Sequence, residues 1–182
     1  MSFLFVMENR GGNMNKQIRQ YVGLLSAVLA YYFVHEGAHF VYALSIGVFQ
    51  RINFLGLGVQ VAIYSEGMSN LQLGIFCLVG AAATTITAYI LTLTAPKICR
   101  ARSMVFRASM YYITIAMLMI DPLYLSVLCS LFGGGDMNGI ALLLPEWIAR
   151  FGFGVLLVIH CLLLWIAILP KYRKSFAESS TQ

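Results

Sequence analysis

"YYFVHEGAHFVYAL", residues 31–44, sets two histidines and a glutamate inside a run that otherwise reads as a membrane-spanning helix. An ionisable side chain near the middle of a bilayer costs roughly 2.5–3.5 kcal/mol, so such groups persist where they pair, hold a ligand or line a wet cavity. The three residues are His35, Glu36 and His39, an HExxH motif. On a helix, imidazoles at this spacing leave one face together and suit a single zinc ion. Glu36 lies beside them, within reach of a water at that ion.

The rest of the composition names a bilayer as the solvent. Of 182 residues, 60% are hydrophobic and 10% charged, against about 25% charged in an ordinary soluble domain. About 20 apolar residues span the hydrocarbon, which predicts four membrane helices, at 21–48, 71–94, 109–132 and 151–169. The expected fold is an all-α polytopic membrane protein in one domain, 21–170. A polar and interfacial segment, 1–20, precedes it, and a basic then polar tail, 171–182, follows, frayed from 175 onward. "MSFLFVM" at the start has no basic residue before it and no small-residue cleavage site soon after. It therefore reads as a patch lying on the membrane surface, not as a cleavable signal. No internal repeat is visible, and the connections are too short for a second folded domain.

The net charge of +5 does not point to nucleic acid, because the cations are segregated. Arg10, Lys16 and Arg19 precede the first span, Lys97, Arg100, Arg102 and Arg107 lie between the second and third, and Lys171, Arg173 and Lys174 follow the fourth. The other loops hold only Arg51 with Glu66, and Arg150 with Asp136 and Glu146. All three basic clusters fall on one side of a four-span chain. The positive-inside rule makes that side cytoplasmic and predicts a multi-pass protein of the cell membrane with both termini inside. Cys77, Cys99, Cys129 and Cys161 are single and widely spaced, so they read as small apolar fillers, neither a metal pair nor a disulfide framework.

Between the first two spans, Val59, Val61 and Ile63 alternate with Gln60, Ala62 and Tyr64, the period of a strand. "GLG" before them turns the chain back on "INFL". This predicts a short membrane-associated β-hairpin, either a plain connector or an edge that pairs with an extended peptide. "GAAATT", 80–85, offers small residues for close packing of the second helix, most simply against the first. The third span carries Asp121 before Pro122 and ends in "GGGDMNG", 133–139, where three glycines leave the backbone free to turn near Asp136. Pro145, Glu146 and Trp147 have the chemistry of a helix start at an interface.

A catalytic zinc site takes three protein ligands and keeps one position for water, so HExxH needs one more. Asp136 is the expected third ligand, because flanking glycines let its carboxylate approach an ion. Asp121 and His160 are the alternatives, with Glu66 and Glu146 placed at the interface.

With these residues in view, the chain resembles the site-2 protease family of intramembrane zinc metalloproteases over roughly 21–144. "HEGAH" matches that family's zinc helix in full, and "GVQVAIY" stands where its hairpin follows. "LVGAAATT" keeps Gly80 but lacks the family's proline and asparagine. "GGGDMNG" offers Asp136 without the Leu-Asp-Gly order. The resemblance implies His35, His39 and Asp136 as ligands of Zn2+ and Glu36 as general base. It implies hydrolysis of a peptide bond within or near a transmembrane segment or small membrane-bound peptide. Asn138 is then expected to hydrogen-bond substrate or oxyanion, and Val59, Val61 and Ile63 to bind the peptide. The partners it implies are the substrate peptide and the lipid bilayer, and the expected chain is a minimal form without a PDZ domain. The family places hairpin and active site near the cytoplasm, opposite to what the basic loops predict here. The rival expectation is a non-catalytic protein of the same fold that binds a partner's transmembrane helix. A channel or transporter is the third, weakened by the single polar cluster and lack of inverted repeat.

Overall fold

The computed structural model describes residues 16–55 and 58–178. The expectations for "MSFLFVM", Arg10 and the last four residues lie outside the described residues. Helix α1, Lys16–Ser45, is 30 residues long, or about 45 Å at 1.5 Å per residue. It stops at Gly47, whose φ of +73° is open to glycine without penalty. The Val48 and Gly47 amides then donate to the carbonyls of Ala43 and Leu44 at 2.9 and 3.2 Å, a Schellman closure that satisfies the helix end.

The chain leaves this cap as strand β1, Phe49–Leu55, antiparallel to β2, Gly58–Ile63. Ile52 faces Val61 and Phe54 faces Val59, with an irregularity between Phe49 and Arg51. The expected hairpin is present. β2 is the strand that packs on α1: Val61 is buried, whereas Ile52 and Phe54 are exposed.

Helix α2, Asn70–Ile98, opens with a capping box in which Ser69 and Gln72 satisfy each other's backbone amides. Helix α3, Met104–Leu123, is capped by Ser103 and continues through a π-helical turn, Tyr124–Leu128, and a 3-10 turn, Cys129–Phe132. Gly133, Gly134 and Gly135 all have positive φ, and they fold the chain back into the short helix α4, Asp136–Ile140. Helix α5, Glu146–Leu163, follows Pro145 as expected, with Glu146 in its first turn bonded to Arg150 at 2.7 Å. It runs through a second π-helical turn, Leu164–Ile168, into α6, Leu169–Glu178.

Among the described residues, three helical stretches, Asn70–Ile98, Met104–Phe132 and Glu146–Glu178, are long and apolar enough to cross a membrane. α1 matches them in length but not in hydropathy, because its tyrosines and the HExxH residues interrupt the apolar run. The expectation of a frayed end from 175 is corrected: the helix continues to Glu178, with Tyr172 and Ser175 buried. The reason is tertiary. Buried Arg107 donates to the Ser175 carbonyl and hydroxyl at 2.9 and 2.7 Å, and Ser175 donates to the Cys99 carbonyl at 2.8 Å. Arg107 is thus a packed donor as well as a member of a basic cluster.

Each long helix runs antiparallel to the next in sequence, whereas α1 and α3 run parallel, with Arg19 at Met104, Ser26 at Ser109 and Tyr31 at Asp121, so the loops divide between two ends. Arg19 reaches Met104 Sδ at 3.2 Å, and the Arg107–Ser175–Cys99 chain ties α6 to the α2–α3 loop. The described basic clusters gather at that end. The hairpin, the glycine turn and α4 gather at the other.

Candidate metal centre

α1 buries Gly23, Ala27, His35, His39 and Ala43 on one stripe, and this stripe faces α2 and α3. His35 and His39 therefore point into the bundle. Asp136 meets them from the opposite side, carried there by the glycine turn. His35 Nε2 lies 3.2 Å from His39 Nε2 and 3.2 Å from Asp136 Oδ2, and His39 Nε2 lies 3.6 Å from the same oxygen.

These distances fit a metal ion. Ligands held at about 2.0–2.2 Å in a tetrahedron stand roughly 3.3–3.5 Å apart, close to the three edges seen. The protonation pattern agrees. Asp121 stands 3.2 Å from His35 Nδ1 and is an acceptor there, so Nδ1 carries a proton and Nε2 is the nitrogen that could meet an ion.

Asp121 is thus not gathered with the ligand atoms but stands behind one of them. It is 1% exposed and also accepts from the Tyr31 hydroxyl at 2.5 Å and from the Thr84 hydroxyl. Three donors, His35 among them, make it a fully partnered buried carboxylate, the usual support of a metal-binding imidazole. His39 has no such support: its Nδ1 is buried without a hydrogen-bond partner among the described residues.

His160, the other alternative, is spent elsewhere. Pro122 has no N–H, which frees the carbonyl of Leu118 one turn earlier. His160 Nδ1 meets that carbonyl at 2.6 Å, and Nε2 meets the Tyr89 hydroxyl at 3.1 Å. It mends the proline break.

The small-residue face of α2 forms the wall of the site. A Cβ built on Gly80 would lie 2.6 Å from His39 Nε2 and 2.8 Å from His35 Nε2. Both contacts are too close to tolerate, and the Asp121 tie restrains His35 from moving. If the cluster holds zinc, Gly80→Ala is therefore expected to lower its affinity about 10–100-fold, the size of effect seen when a ligand's positioning is disturbed. Competition titration with a chelator measures this, and wild-type affinity would mean that α2 gives way instead.

Glu36 is placed by the hairpin. The Val61 amide donates to its Oε2 at 2.9 Å. A cavity of about 250 Å³ lies between β2 and the histidines, lined by Glu36, His39, Val61, Phe76, Tyr124 and Asp136, with Val59, Gln60 and Gly135 completing it. Successive residues of a strand send their amides to opposite edges, and residues two apart share one. Val59 and Ile63 therefore share the edge that Val61 presents to Glu36. A larger apolar groove of about 570 Å³ runs along α1 from Phe33 to Ser45, and it contains no histidine or carboxylate.

Asn138 does not join this cavity. Its Nδ2 donates to the Gly133 carbonyl at 3.1 Å, closing the glycine turn. Glu66 is exposed, and Glu146 pairs with Arg150 on the surface. All four cysteines are free: Cys77 and Cys129 are buried fillers, while Cys161 is exposed. Sequence reasoning missed Tyr31, Thr84 and Tyr124. Tyr31 stands one helical turn before His35, Thr84 one turn after Gly80, and Tyr124 one turn after Asp121, so helical spacing from known site residues was the available signal.

Compared with protein-family models, with curated proteins and with solved structures, the chain matches none.

Proposed function

We propose that the chain is an intramembrane zinc endopeptidase that cleaves a peptide bond within or near a transmembrane segment or small membrane-bound peptide. The resemblance to site-2 proteases supports this reading. The observation that carries it is the triangle of His35, His39 and Asp136, with Glu36 beside it on the same cavity. His35, His39 and Asp136 would hold the ion. When bound, zinc supplies a Lewis acid that polarises a carbonyl and lowers the pKa of water.

The remaining work falls to the chain's own groups. Val61 holds one carboxylate oxygen of Glu36, leaving Oε1 to take a proton from water as the water oxygen attacks the peptide carbonyl. The same group then delivers that proton to the departing nitrogen. A substrate unwound to an extended strand can pair with the amides of Val59 and Ile63 along the free edge of β2, which brings its carbonyls to the cavity. An unwound backbone needs such partners, because lipid offers none.

In this reading α1 is a fourth span beside the three more apolar helices. The bundle's basic end faces the cytoplasm, and the hairpin and site lie toward the other side. Exposed probes test this in a background with Cys99 and Cys161 replaced by alanine. Glu66→Cys should react with an impermeant thiol reagent on intact cells, and Arg102→Cys only after the cells are opened. The reverse pattern would put the site at the cytoplasmic face.

The function itself is tested by metal analysis of the purified protein together with cleavage of co-expressed membrane peptides. One zinc per chain and cleavage abolished by a chelator are expected. A metal-free protein, or cleavage indifferent to chelation, would overturn the proposal.

A further inference from the structure

We infer that Tyr124 is a catalytic residue whose hydroxyl donates a hydrogen bond to the carbonyl oxygen of the peptide being cleaved, as negative charge gathers there. The inference rests on the peptidase reading and adds to it the donor that the reading lacks.

Acyl transfer needs a donor aimed at the developing oxyanion, and the other polar side chains that could be considered are already committed outside the cavity. Tyr31 donates to Asp121, Asn138 to the Gly133 carbonyl, and His160 to the Leu118 carbonyl. Gln60 lines the cavity but is exposed, where water weakens its hydrogen bonds. Tyr124 lines the same cavity as Glu36, His39 and Asp136, is half-buried, and its hydroxyl makes no hydrogen bond among the described residues.

The fold places this phenol with care. Tyr124 opens the π-helical turn that follows Pro122, a local widening of the helix that re-aims side chains and recurs at functional sites. Its ring packs against the core cluster that contains Phe76, Leu125 and Met137. Its hydroxyl occupies the space that a Cβ on Gly135 would fill, and Gly135 is the residue next to Asp136. The donor is therefore held beside a ligand-bearing residue by a fixed ring, which is the preorganisation that makes such donors effective.

The step balances with water as co-reactant. An O–H bond of water breaks and its proton passes to Glu36, while the water oxygen forms a bond to the carbonyl carbon and the carbonyl π pair moves onto oxygen. Tyr124 hydrogen-bonds to that oxygen and keeps its own proton. The pair then returns, the C–N bond breaks, and the nitrogen takes the proton from Glu36, leaving an acid and an amine.

The test compares zinc-loaded wild type and Tyr124→Phe in detergent micelles. The probes are a quenched-fluorescent hexapeptide of small and β-branched residues and its phosphinate analogue, in which a tetrahedral phosphorus replaces the scissile carbonyl. Tyr124→Phe should lower kcat about 10²–10³-fold, the loss of one oxyanion donor. KM should stay within about twofold and zinc content should not change. Phosphinate affinity should fall at least about tenfold, whereas the hexapeptide should bind Glu36→Gln equally with or without Tyr124→Phe. Wild-type kcat in Tyr124→Phe, a change in KM alone, or zinc lost in step with activity would overturn the inference and leave the peptidase reading intact. A zinc-loaded wild type that neither cleaves the hexapeptide nor binds the phosphinate would overturn both.

Discussion

Glu36→Gln is expected to keep its zinc and lose at least about a hundredfold in cleavage, the lower range for removal of a general base. The substitution preserves size and a carbonyl-type oxygen, so the Val61 amide retains its acceptor and the hairpin stays docked. The metal triangle does not include Glu36. What disappears is a group able to take a proton from water and return it to the leaving nitrogen. Zinc content and cleavage rate, measured on the same preparation, separate the two roles. Cleavage at the wild-type rate would take the base role away from Glu36, whereas no cleavage by zinc-loaded wild type would favour a protein of this fold that only binds a partner helix. Zinc lost together with activity would show instead that Glu36 supports the site's structure.

Asp136→Ala is expected to lose zinc and activity together. Two imidazoles leave the ion short of a protein ligand, and no other carboxylate among the described residues clusters with both histidines. Asp121→Asn should behave differently, because Asp121 touches the far nitrogen of His35. An asparagine there presents one acceptor oxygen to the three donors that Asp121 now satisfies, from Tyr31, Thr84 and His35. Its amide N–H groups also favour the tautomer with the proton on Nε2, which removes the lone pair a metal needs. Zinc affinity should fall about 10–100-fold, with occupancy recovered at high zinc. A competition titration distinguishes a lost ligand from a weakened one. Full occupancy in Asp136→Ala with loss in Asp121→Asn would transfer the ligand role to Asp121.

Much of the architecture is legible along the chain because it depends on local periodicity. Alternation at 59–64 marks a strand whatever surrounds it, and "PEW" marks a helix start through its own backbone chemistry. The HExxH spacing places two imidazoles on one face of any helix. The end of the last helix is not legible in this way. Residues beyond 175 look polar and frayed, yet Ser175 is buried because Arg107 and Cys99, distant in sequence, supply its partners. The role of His160 is equally remote, since it answers a carbonyl that Pro122 freed on another helix.

By itself the sequence determined the helical class, the hairpin, the segregation of charge and the pair of histidines, all matters of short-range pattern and composition. Only the tertiary structure decided which carboxylate meets which nitrogen. An imidazole offers two nitrogens on opposite sides of the ring, and a motif does not say what faces either one. The left-handed turn through Gly133, Gly134 and Gly135 swings Asp136 to the Nε2 side, while the straight run of α3 leaves Asp121 on the Nδ1 side. Chemically alike in the sequence, the two aspartates are distinguished by the turn between them, and that turn also brings the free hydroxyl of Tyr124 beside the site.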